Sequence, residues 1–137
     1  MAIKTVEKCI ECMLSNIEKR KTVEYGSRLS VRHFNAAYKR ILNSARYIDL
    51  HYPNELGSLM QLLYHPDIVV VEHCAPIILA LDNSTMAQKW EAIEVVRAII
   101  SDDRISSGDR MGFSASLESW EAKLKKQEEE GKHERIW

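Results

Sequence analysis

Apolar residues return every three to four positions along most of this chain, and the returns separate into six helical stretches. Over 3–19 they are Ile3, Val6, Cys9, Ile10, Met13, Leu14 and Ile17, after which Glu18, Lys19, Arg20 and Lys21 close the segment with charge. A longer helix starts at Thr22 or Ser30 and runs to Ile48. Phe34, Ala37, Tyr38, Ile41, Leu42 and Ala45 form its stripe, with Arg28, Arg32, Lys39, Arg40 and Arg46 mostly off it. The third helix, 54–64, carries Leu56, Leu59, Met60, Leu62 and Leu63. The fifth, 86–101, carries Trp90, Ile93, Val96, Ile99 and Ile100. The sixth begins at Asp109, read as its cap, and carries Met111, Phe113, Ala115, Leu117, Trp120 and Leu124. These stripes put Trp90 and Trp120 in the core and leave Trp137, at a charged terminus, outside it.

The fourth helix, 67–81, is apolar almost all round, which marks a central helix with neighbours on most sides. Ile68-Val69-Val70-Val71 would also suit a buried strand, but no second such run exists to pair with it. The corner before it favours a helix. Pro66 cannot extend the preceding helix and Asp67 is a good cap for the next, so two helices meet antiparallel over a short turn. That is the unit from which α-α superhelices are stacked. Pro76 removes one helical hydrogen bond and frees the carbonyl of Glu72, which predicts a bend. Trp90-Glu91-Ala92 recurs as Trp120-Glu121-Ala122, at the spacing of one helical pair. The expected fold is all-α, about six antiparallel helices in one domain over 1–127. Gly131 is the expected end of the last helix, and 128–137 is a charged, frayed tail.

Composition narrows the function. The 137 residues hold 19 Lys and Arg against 20 Asp and Glu, a net charge of −1, where a nucleic-acid binder would carry a basic excess. No run reaches the roughly 18 apolar residues of a membrane span, and the charged N-terminus does not read as a secretory signal, so a cytoplasmic protein is expected. Cys9 and Cys12 form a C-x-x-C pair inside a helical stretch with no strand before it, unlike a redox site at a helix N-terminus. With Cys74 they lack two further ligands at zinc spacing, so no metal or cofactor is expected. None of His33, His51, His65, His73 and His133 stands in a nucleophile motif, and adjacent His73 and Cys74 point about 100° apart on a helix. Asp102, Asp103 and Asp109 lack the alternating oxygen ligands of a calcium loop. Two of them follow a helix C-terminus, where negative charge opposes the dipole.

The segment LLYHPDIVVVEHCAPIILAL and its continuation to Glu121, with Phe34-Asn35-Ala36-Ala37-Tyr38 upstream, resembles a bacterial family of unknown function that forms a short HEAT-like α-α superhelix. The resemblance covers about residues 30–122. One departure is Val71, where the family's helix carries a charge just after the corner. Small members of the family look like immunity partners of bacterial toxins. The resemblance therefore implies a non-enzymatic module that binds a cognate toxin and occludes its active site. Asp102, Asp103, Asp109 and Glu72 are the candidate partner-binding residues. The alternative is a HEAT-like nucleic-acid-associated protein using Arg28, Arg32, Arg40 and Arg46, and an enzyme comes third.

Overall fold

The computed structural model describes residues 4–137; Ile3, assigned to the first helix, lies outside them. The fold is all-α: six α-helices, with no strand among the described residues. They are α1 (Val6–Arg20), α2 (Arg28–His51), α3 (Leu56–Met60), α4 (Ile68–Leu79), α5 (Met86–Ile100) and α6 (Ser107–Glu130). The expected third helix is split, because 3₁₀ turns Pro53–Glu55 and Gln61–Tyr64 flank the five residues of α3. The chain forms two compact units, 1–58 and 59–137.

In the first unit Thr5 caps α1, its hydroxyl accepting from the Lys8 amide at 3.2 Å, and Ser27 caps α2 by accepting from Ser30 at 3.2 Å. Glu24 to Ser27 form the turn that delays the second helix to Arg28. The two helices are antiparallel. Tyr52 donates to the Lys4 carbonyl at 2.9 Å at one end, and the Arg20 guanidinium lies over the Phe34 ring at the other. Cys9, Met13 and Ile17 of α1 and Ala37, Ile41, Ala45 and Ile48 of α2 are buried. Each large aliphatic side chain among them contributes about 1.5–3 kcal/mol of burial free energy.

In the second unit the corner forms as the sequence dictates. An Asp67 carboxylate oxygen accepts from the Val69 amide at 3.0 Å, and the His65 ring accepts from the Asp67 amide at 3.0 Å. Seven of the twelve residues of α4 are buried, and Pro76 lies inside a continuous helix. Thr85 and Gln88 form a reciprocal capping box at the start of α5. One turn on, Lys89 is buried, and its ammonium donates to the Ser84 carbonyl while the Ser84 hydroxyl donates to that of Ile78. Helices α5 and α6 are antiparallel: Arg97 meets Glu121 at 2.9 Å and Trp90 donates to Glu128 at 3.1 Å.

Two expectations fail in α6. Its cap is Ser106, whose hydroxyl accepts from the Asp109 amide at 3.2 Å, so Asp109 sits in the first turn rather than at the cap. Its apolar stripe is also only partly used: Leu124 is buried, but Met111 is 73% exposed. The helix continues to Glu130, and Gly131, at φ 69°, turns the chain through the left-handed conformation that glycine adopts without penalty. The chain then returns to α4, where the Ile136 amide donates to the Leu79 carbonyl at 2.6 Å and the Trp137 indole to that of Pro76 at 2.9 Å. Trp137 is half-buried, as are Trp90 and Trp120, so no tryptophan is fully in the core. Among the described residues no helix is long and apolar enough to cross a membrane.

Candidate functional site

The acidic residues singled out from the sequence fall on two elements. Asp102, Asp103 and Asp109 lie in the α5–α6 loop and the first turn of α6, whereas Glu72 is half-buried on α4. The loop is pinned by Asp102. Its carboxylate accepts from the Arg104 amide at 2.9 Å and is gripped by the Arg104 guanidinium, with the shortest contact 2.6 Å. The hydrogen bonds from that side chain and amide hold the Asp102 carboxyl down at about 2. Asp102 is thus a loop brace, which explains an acid placed against the helix dipole. Ile105, directly after the brace, is buried and anchors the loop.

Asp103 differs. Its side chain is fully exposed and its ion pair with Arg110 spans 3.7 Å, a surface contact of small energetic weight. Asp109 and Met111 are exposed on the following turn. The unit carrying this edge holds nine Lys and Arg against fourteen Asp and Glu, a net charge of −5, while residues 1–58 hold ten against six, a net of +4. The near-neutral total conceals two units of opposite sign.

The basic side of that division has its own geometry, which no single local motif announces. Arg20 places its guanidinium 3.8 Å from the Phe34 ring centroid and 4.9 Å from that of Tyr38. Phe34 also lines a cleft of about 330 Å³ together with Lys19, Thr22, Ser30, His33 and Arg40. The available signals were three consecutive cations, Lys19 to Lys21, and aromatics one turn apart at 34 and 38, but α1 and α2 must pair before they meet. Of the arginines proposed for a nucleic-acid face, only Arg40 lines this cleft; Arg28 and Arg32 are exposed elsewhere on α2.

The thiols are free; Cys9 and Cys74 are buried and Cys12 is half-buried. Burial pushes the Cys74 thiol up to about 12 and raises Cys9 as well, while Cys12 accepts from the Asn16 side chain at 3.4 Å. His73 bonds its own helix, Nδ1 lying 2.7 Å from the Val69 carbonyl. Among the described residues no three of His, Cys, Asp and Glu gather into a group that could hold a metal ion. No protein-family model, curated protein or solved structure matches the chain.

Proposed function

We propose that this protein is a non-enzymatic protein-binding module, most specifically an immunity protein that neutralises a cognate bacterial toxin by occluding its active site. The observation that carries the reading is the braced acidic edge at the α5–α6 loop, in a unit with a net charge of −5. A loop already fixed by Asp102 and Arg104 loses little conformational freedom on binding, so more of the contact energy remains as affinity. Asp103 and Asp109 offer carboxylates to a basic partner, which steers encounter, and exposed Met111 supplies an adaptable apolar contact beside them. The resemblance of residues 30–122 to a HEAT-like family of unknown function, small members of which look like immunity proteins, is in keeping with this reading.

The second reading, a nucleic-acid-associated protein, draws on the +4 charge of the first unit. Against it, the arginines expected to form that face do not gather: Arg40 lines the cleft beside Phe34, while Arg28 and Arg32 are exposed elsewhere on α2. The immunity reading expects a toxin gene directly before this one, and the deciding experiment is co-expression with the C-terminal domain that such a neighbour encodes. Growth protection together with a co-purifying complex is expected; failure of both overturns the immunity reading.

A further inference from the structure

The cleft between α1 and α2 has a composition that the acidic edge does not use. Its walls carry Lys19, Arg40 and His33, and no carboxylate lines it. Nearby cations are engaged within the protein: Lys21 pairs with Glu18 at 2.7 Å and Arg20 lies over two aromatic rings. Lys19 is different, since its ammonium has no hydrogen-bond or ion-pair partner among the described residues. Arg40 makes one long contact, 3.5 Å to the Asn16 side chain, which leaves the rest of its donor fork unused. Lys19 and Arg40 line one opening that has no carboxylate in its wall, and a bound anion would balance their charge.

The remaining walls restrict the kind of anion. The Ser30 hydroxyl accepts from the Glu24 amide at 2.7 Å, so its own proton is directed elsewhere and can be donated. Val23 and Phe34 are apolar walls of the same cleft, suited to a carbon skeleton rather than to water. Its volume of about 330 Å³ is at the small end for organic ligands. A bare sulfate would leave the apolar wall unused, and a long polymer would extend well beyond the opening. From these observations we infer that the α1–α2 cleft binds a small phosphate monoester, with Lys19, Arg40 and Ser30 holding the phosphate and Phe34 contacting the organic group. This site is independent of the acidic edge and of the toxin reading.

The test is an amide NMR titration of the full chain with phenyl phosphate, inorganic phosphate, and sodium chloride at matched ionic strength. The expected result is saturable movement of the Ser30 and Phe34 signals, with phenyl phosphate at least threefold tighter than inorganic phosphate. Lys19 and Arg40 are both exposed, so K19Q and R40Q should keep the wild-type melting curve. Each should weaken phenyl phosphate tenfold or more. Movement that sodium chloride reproduces, or equal binding by wild type and by K19Q, overturns the proposal. So does an oligothymidylate that binds more tightly than phenyl phosphate and is weakened by R28Q and R32Q, residues outside the cleft; that outcome assigns the face to nucleic acid instead.

Discussion

The Trp137 indole donates to the carbonyl of Pro76, 2.9 Å away and 61 residues back along the chain. One position earlier, Ile136 is buried and its amide reaches Leu79. The C-terminal segment therefore adds apolar burial and two hydrogen bonds to the central helix of the second unit. Ile136→Ala should lower stability by about 2–5 kcal/mol, the range for deleting a buried aliphatic side chain. Trp137→Phe, which mainly removes the donor, should cost about 1 kcal/mol. Thermal melts followed by circular dichroism distinguish these values from a tail that contributes nothing.

Ile78 is 1% exposed on α4. Ile78→Asp buries a carboxylate without a partner, at a cost of several kcal/mol against a total stability of about 5–15 kcal/mol, and should yield unfolded or aggregated protein. Asp103→Lys, at a fully exposed side chain, should shift stability by no more than about 0.5 kcal/mol. On the binding side, the same change should slow association with a basic partner and reduce the salt dependence of the rate. A normal association rate for folded Asp103→Lys protein would remove this carboxylate from the interface.

Arg104 sets the acid behaviour of Asp102. The folded carboxyl titrates near 2 in place of its ordinary 3.8, so its contribution to stability is present above 3.8 and is lost as pH falls through about 2. A carboxyl-carbon NMR titration should find that low midpoint, and Arg104→Ala should return it toward 3.8. A midpoint near 3.8 in the wild type would mean that the brace does not form in solution.

Cys74 predicts the alkaline limb. Its thiol is raised from 9.0 to about 12, so the folded state holds a proton that the unfolded chain gives up. The associated stability is intact below pH 9 and is lost as pH rises toward 12, with a slope of up to about 1.4 kcal/mol per pH unit. Denaturant melts between pH 8.5 and 11 should show a shallower decline for Cys74→Ala than for wild type. Parallel declines would count against a shielded thiol.

What was legible in the sequence is what local chemistry decides. Pro66 and Asp67 specify the corner because a ring without an N–H and a short acceptor side chain act within two residues of themselves. Gly131 marked the end of α6 for the same reason. The Ser106 cap was readable too: Ser106-Ser107-Gly108-Asp109 has the S-x-x-D spacing of a capping box, which the more conspicuous aspartate obscured. The remainder depended on distant partners. The run from Lys125 to Arg135 looks like a solvated tail until Ile136 and Trp137 meet α4, and no local pattern encodes that meeting. Arg20 read as a charge closing a helix, although its neighbours in space are Phe34 and Tyr38. The charge division between the units vanished from the total because +4 and −5 nearly cancel.

Lys89 gives the second unit an internal clock. The chain has ten lysines; nine are exposed, and Lys89 alone, among the described residues, is buried. An amine-acylating reagent therefore modifies nine sites on the folded protein at ordinary rates, and reaches the tenth only when the α4–α5 connection opens. Mass spectrometry of the Lys89 peptide against any of the other nine reads the opening frequency of that connection directly, without denaturant or an engineered probe.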